Sequence, residues 1–292
     1  MSQNGNAGAT WRTLVQAEDV AARLDDPRLA IFDCRCDLMQ PQAGAERYAA
    51  GHLPRAAFAD LNRDLSIAPT AASGRHPLPD AQDFAAWLRA RGVNGDTQVV
   101  AYDDATGMFA ARLWWMLRWL GHDRVAVLDG GFKRWQSLGL PVMADVPAPR
   151  PGQFAGRPDA TATVDADTVQ SAAQDGSQRV IDARAAERYR GEVEPIDRVA
   201  GHIPGARNHP SSSLLGADGR FLPPEELRRS LLATLDGIPP ARAIAYCGSG
   251  VTACHVLLAM EHAGLPGGRL YPGSWSEWSR NPARPVATGA AP

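Results

Sequence analysis

The strongest constraint on the fold is that the chain carries one order of signals twice. Residues 30–58 contain Ala30-Ile-Phe-Asp33-Cys-Arg35, then Ala45-Glu46-Arg47-Tyr48, then Gly51-His52-Leu-Pro54-Arg-Ala56. Residues 180–206 contain Val180-Ile-Asp182-Ala-Arg184, then Ala186-Glu187-Arg188-Tyr189, then Gly201-His202-Ile-Pro204-Gly-Ala206, with extra residues between Tyr189 and Gly201. Further on, Val99-Val-Ala-Tyr102-Asp-Asp104 matches Ala243-Ile-Ala-Tyr246-Cys247, and Leu128-Asp-Gly130-Gly-Phe132-Lys-Arg-Trp135 matches Tyr271-Pro-Gly273-Ser-Trp275-Ser-Glu-Trp278. Two long copies mean two similar domains; a solenoid would show shorter periods. The 292 residues are enough for two cores. The division expected is 1–145, a proline-rich linker over 146–160, and 161–292.

Within each copy, short apolar runs alternate with helical runs. Leu29–Phe32, Val99–Tyr102 and Val125–Leu128 are almost continuously apolar, as parallel strands covered on both faces are. Phe109–Leu120 followed by Gly121 reads as a helix with a glycine stop. In the second copy Arg179–Asp182, Ala243–Tyr246 and Arg269–Tyr271 are the strands, and Thr252–Ala263 before Gly264 is the matching helix. This alternation predicts an α/β fold, each domain a mainly parallel sheet flanked by helices.

Chemistry in such sheets collects at the carboxyl ends of the strands. There the second copy places Cys247, Gly248, Ser249, Gly250, Val251 and Thr252. Two glycines let a tight loop turn several N–H groups inward, and the following helix adds its positive end. A cysteine held there is a candidate thiolate nucleophile, with Ser249 and Thr252 as further donors. The alternative is a small buried hydrophobe, the common fate of a free cysteine. A Cys-x5-Arg phosphatase loop needs an arginine six positions on, and Ala253 stands there.

The double copy and the loop Cys247-Gly-Ser-Gly-Val-Thr-Ala253-Cys resemble the two-domain rhodanese-like sulfurtransferases, and within them the mercaptopyruvate-using branch. Gly201–Ala206 and Gly273–Trp278 are supporting marks, and the similarity runs from about Val15 to Val286. The resemblance implies a sulfur donor, a persulfide on Cys247, a thiol, cyanide or thioredoxin-like acceptor, and no cofactor. Aspartates at 103 and 104 replace the cysteine in the first copy. That copy is then silent, and is expected to cover the second domain's loop and shape a cleft. In the resembling enzymes, thiosulfate preference goes with cations in the two positions after the cysteine; Gly248 and Ser249 are neutral. That favours 3-mercaptopyruvate, with thiosulfate as the rival donor and a sulfur-relay module fed by a protein partner as a third reading.

By the same resemblance Arg188 binds the donor's carboxylate. Arg198, displaced by one residue from the family's spacing after Glu194-Pro195, is a further ligand. His76 matches the histidine of a serine–histidine–aspartate relay with Ser249, but Asn62 falls near the acid's position, with Asp60 only close by in sequence; the alternative for His76 is a substrate-binding residue that orients the donor in the cleft.

Composition excludes other classes. Lys and Arg number 30 against 32 Asp and Glu, so no basic field gathers nucleic acid. No apolar run is long enough to span a membrane, and Met1–Thr10 lacks a targeting pattern. Four cysteines make no disulfide scaffold, which points to a reducing cytoplasmic setting. Cys34-x-Cys36 has no soft partners for a metal, and Cys254 belongs to the core. The repeated Asp33-x-Arg35 and Asp182-x-Arg184 read as structural ion pairs, and His52 and His202 as structural turn residues.

Overall fold

A computed structural model of the chain describes residues 10–148 and 150–292. The targeting reading of the N-terminus therefore falls largely outside the described residues, as does Pro149 of the linker. Backbone contacts divide the chain into two compact units. One is the chain through Asp60 with Asp80–Pro158; the other is Leu61–Pro79 with Asp159–Pro292. The division is discontinuous because the segment 61–79 packs with the second unit.

The first unit contains β1 (Leu14–Val15), α1 (Ala17–Ala21), β2 (Leu29–Asp33), α2 (Ala43–Ala50), β3 (Ala57–Phe58), α3 (Ala81–Ala90), β4 (Gln98–Tyr102), α4 (Ala110–Trp119), β5 (Val125–Leu128) and α5 (Gly131–Ser137). Its strands form one sheet in the order β1-β5-β4-β2-β3, every pairing parallel. All residues of β4 and β5 are buried, which is why these strands read as unbroken apolar runs. Gly121 ends the α4 segment in the left-handed region (φ +80°), donating its N–H to the Arg118 carbonyl.

The second unit contains α6 (Ala166–Asp175), β6 (Arg179–Asp182), α7 (Ala186–Tyr189), β7 (Arg207–Asn208), α8 (Pro224–Leu235), β8 (Ala243–Tyr246), α9 (Thr252–His262), β9 (Arg269–Leu270) and α10 (Ser274–Trp278). The sheet order is β7-β6-β8-β9, again parallel throughout. A single parallel bridge from Thr163 to Leu270 stands where β1 pairs in the first unit.

The repeat is visible in the core. Arg35 forks onto Asp33 (2.6 Å from Nη2) and reaches the Gly51 carbonyl; Arg184 does the same to Asp182 (2.6 Å) and Gly201. Tyr102 donates its hydroxyl to Asp33 at 2.6 Å. His52 and His202 each set Nδ1 2.8 Å from the carbonyl of Tyr48 and Tyr189, on whose rings they stack. Buried charges persist only when paired in this way.

The proline-rich stretch runs along the first unit. Gly152 and Phe154 donate N–H groups to the carbonyls of Arg89 and Val93, Arg157 donates to Leu120, and Phe154 is buried. These bonds fasten it to the first unit. No helix among the described residues is long and apolar enough to cross a membrane.

Candidate functional site

The loop 247–251 joins the carboxyl end of β8 to the start of α9. Its backbone is held by the N-terminus of α10: Trp275 donates to the Cys247 carbonyl at 3.0 Å and Ser276 to the Gly248 carbonyl at 2.9 Å. The first unit clamps its own loop alike, Phe132 and Lys133 donating to the carbonyls of Asp103 and Asp104. Gly131, at φ +55°, makes that turn in the first unit; Ser274, at φ +54°, makes it in the second. A serine in the left-handed region is strained by about 1–3 kcal/mol. Its hydroxyl offsets this by accepting the Cys247 N–H at 3.1 Å while donating to the Tyr271 carbonyl at 2.9 Å.

Cys247 is buried, and its Sγ accepts the Gly250 N–H at 3.2 Å. Gly250 must be glycine: φ is +78°, and a Cβ would stand 2.5 Å from the Pro272 carbonyl oxygen. Cys254, buried in the first turn of α9, donates its thiol to the Gly250 carbonyl at 3.4 Å, a core role. Val251 is buried and Thr252 opens α9, half-buried.

The segment 61–79 brings His76 to this loop. His76 Nδ1 and Ser249 Oγ are 2.7 Å apart, and both side chains are buried. Asn62, the position expected for an acid, is exposed; Asp64, two residues on, is buried and paired with Arg63 at 3.1 Å.

The cations come from two directions. Arg188 Nη2 pairs with Glu194 at 2.7 Å and with Asp197 at 3.4 Å, while Arg75 Nη1 pairs with the other oxygen of Asp197. A Cβ on Gly248 would lie 2.9 Å from Arg75 Nη2, 3.6 Å from Arg188 Nη1 and 3.7 Å from Arg188 Nη2. Two guanidiniums therefore stand over the residue after the cysteine. The two loop positions are neutral in sequence, yet charge reaches them through space. Burial works to raise the Glu194 carboxyl, but hydrogen bonds from Arg188 and from the N–H groups of Asp197 and Ile196 outweigh it and hold the group below its usual range. Asp197 goes the other way: burial pushes its carboxyl up, with Glu194 adding to the rise and Arg75 opposing it. Arg198 is exposed on the same segment.

Sequence reading missed Arg75, Asp197 and Ser274. A signal existed for Arg75: once His76 is placed on Ser249, its chain neighbour must also lie beside the loop.

The equivalent loop of the first unit shows what such a turn can hold. The Asp103 carboxylate is buried and accepts four backbone N–H groups: Ala105 and Gly107 at 3.2 and 2.9 Å on one oxygen, Phe109 and Ala110 at 2.9 and 3.3 Å on the other. Arg47, which matches Arg188 in the repeat, pairs with Asp104 at 2.8 Å. Loop and arginine in the first unit are thus filled by the chain's own carboxylates.

Cys34 is buried, and burial, with Asp60 and Asp37 adding to it, pushes the Cys36 thiol up to about 12, which disfavours a thiolate at Cys36 near neutral pH. Among the described residues no group of three or more His, Cys, Asp or Glu is placed to hold a metal ion.

A model of the rhodanese-like domain matches residues 16–138 and 165–281. The chain is 53% identical to a Pseudomonas aeruginosa protein named "Probable 3-mercaptopyruvate sulfurtransferase", over 94% of this chain and 98% of the other. It is 40% identical to a Mycobacterium tuberculosis protein named "Putative thiosulfate sulfurtransferase SseB", over 97% of this chain and 99% of the other. The solved structure of the 3-mercaptopyruvate sulfurtransferase from Leishmania major superposes with a TM-score of 0.81 at 33% identity, covering 95% of this chain and 75% of that one.

Proposed function

The chain belongs to the rhodanese-like family, and from that premise we propose that it is a 3-mercaptopyruvate sulfurtransferase working through Cys247. The observation that carries this reading is one juxtaposition. A buried sulfur that accepts a loop N–H lies one residue from a glycine over which two arginines stand. Such a place suits a donor with sulfur at one end and a carboxylate at the other.

In this reading Arg188 grips the donor's carboxylate and the Cys247 thiolate attacks the donor sulfur. A sulfur–sulfur bond forms and the donor's carbon–sulfur bond breaks. The electron pair goes to carbon, and the resulting pyruvate enolate takes a proton. Ser249 and His76, 2.7 Å apart, can pass that proton. Gly250 N–H donates to the sulfur's charge, and the persulfide's outer sulfur is then taken by a thiol, cyanide or thioredoxin-like acceptor, restoring Cys247. The expected setting is the reducing cytoplasm, where the four free cysteines stay reduced. Arg198, exposed on the insertion between Tyr189 and Gly201, is a further donor ligand in this scheme.

One observation favours a second donor. Arg75 brings to Gly248 a cation that the sequence does not place next to Cys247, so thiosulfate turnover is also expected. The test is the ratio of kcat/KM for mercaptopyruvate and thiosulfate, measured with Cys247→Ser beside the wild type. The reading requires the ratio to favour mercaptopyruvate and the serine variant to be inactive with both. A ratio favouring thiosulfate makes the chain a thiosulfate sulfurtransferase, and an active serine variant removes Cys247 from the chemistry.

A further inference from the structure

The two copies differ most between their Tyr and Gly-His signals. Only Ala49 and Ala50 separate Tyr48 from Gly51, whereas residues 190–200 separate Tyr189 from Gly201. This insertion has no helix or strand and exposes Val193, Ile196 and Val199. What it buries is two carboxylates. Glu194 accepts the N–H groups of Ile196 and Asp197 at 3.1 Å and holds Arg188, so it shapes the insertion. Asp197 makes no such bond within the insertion. Its two oxygens go to Arg75 and Arg188, and its side chain is 7% exposed.

The first unit clarifies what this position is for. There the matching arginine, Arg47, is held by Asp104, which stands where the second unit has Gly248. Placing glycine after the cysteine removes that acid and opens room over the loop. Asp197 then enters from the insertion, and its carboxylate joins the two guanidiniums closest to Gly248. We propose that Asp197, held between Arg75 and Arg188, is a resident carboxylate which keeps their shared place over Gly248 until the donor's carboxylate displaces it. The inference rests on the sulfurtransferase reading above, because it names the donor as the displacing carboxylate. It makes donor binding an exchange of one carboxylate for another, so that affinity is set by competition and not by the arginines alone.

The alternative role for Asp197 is permanent: a positioning residue that keeps Arg75 over the loop while the donor binds above it. The two roles predict opposite signs. Asp197→Asn keeps the size and removes the charge. Exchange predicts a KM for mercaptopyruvate lower by about tenfold with kcat little changed, the scale of freeing one partly buried ion pair. A second readout needs no sulfur transfer, namely the ratio of Cys247 alkylation rates with iodoacetate and with neutral iodoacetamide. Exchange raises this ratio about tenfold in Asp197→Asn, lowers it in Arg75→Ala, and cancels the gain in the double variant. A ratio that falls or stays level in Asp197→Asn overturns the proposal, as does one that rises equally with Arg75 removed. A wild type that fails to turn over mercaptopyruvate, yet whose Asp197→Asn variant shows the rise, keeps the anion exchange and refutes the assigned donor. One that turns over without the rise keeps the function and refutes the exchange.

Discussion

Replacing Asp103 with alanine tests whether these strand-end loops are anion cradles. The carboxylate accepts four backbone N–H groups at 2.9–3.3 Å and is itself buried. Alanine leaves all four donors facing a small void. A stranded buried donor costs about 1–3 kcal/mol. Water entering the space meets part of that demand, so we expect the first unit to lose about 3 kcal/mol rather than the full sum. The carboxylate's own desolvation, which raises its pKa, is relieved by the change and limits the loss from above. The assay is urea unfolding of the full chain, with hydrogen exchange followed on the peptide spanning 103–110. The exchange rate there should rise sharply, and nitrate or chloride should restore stability to the variant more than to the wild type. A loss below about 1 kcal/mol with unchanged exchange would refute the reasoning. The N–H groups would then be content without an anion, and the first unit would say nothing about how the Cys247 loop receives a charged sulfur.

Gly250→Ala should disable the loop, since φ +78° and the Pro272 oxygen at 2.5 Å leave no room for a Cβ; a variant with wild-type activity and stability would contradict the close approach. Arg188→Lys keeps charge but loses the planar fork, so kcat/KM for mercaptopyruvate should fall, and Arg188→Gly should lower it by roughly 10²-fold or more. Equal losses in alkylation by a neutral reagent would show that Arg188 supports the loop and not the donor. His209 is buried with Nδ1 2.7 Å from Thr234 Oγ1, and burial depresses its pKa to about 4. Its folded value lies below the unfolded 6.5, so its contribution is complete above about pH 6.5 and is lost as pH falls toward 4, by up to about 3 kcal/mol. His209→Gln should flatten that acid limb in unfolding measured from pH 7 to 4, and an unchanged slope would assign the limb to other groups.

Much of the fold is legible because its signals are local. The central strands β2, β4, β6 and β8 are buried along nearly their whole length, so their apolar runs are unbroken. The glycine after α4 and the repeated Asp-x-Arg pairs carry their own geometry. Edge strands β1, β3, β7 and β9 are two residues each and show no period to read. The proline-rich stretch reads as an extended surface linker, and its fastening is not legible because backbone hydrogen bonds to the carbonyls of Arg89, Val93 and Leu120 leave no mark on its side chains. In the site, Cys247 and its glycines announce themselves by spacing along the chain. Arg75 and Asp197 meet over Gly248 across 122 positions of sequence. Nothing in either neighbourhood points to the other, and the neutrality of Gly248 and Ser249 is true of the chain without being true of the space around it. Ser274 is hidden for a different reason: a serine at a left-handed turn looks like a departure from the first copy's Gly131 until its hydroxyl is seen on the Cys247 N–H.

The central claim is that Cys247 carries the sulfur. Its most direct test is to mix the full chain with mercaptopyruvate in the absence of any acceptor, digest without reductant, and locate the added mass by tandem mass spectrometry. The account predicts one extra sulfur atom on the peptide containing Cys247, removed by cyanide with recovery of the free thiol. Added sulfur on Cys34, Cys36 or Cys254 with Cys247 unmodified would contradict it, as would no added sulfur while pyruvate is released.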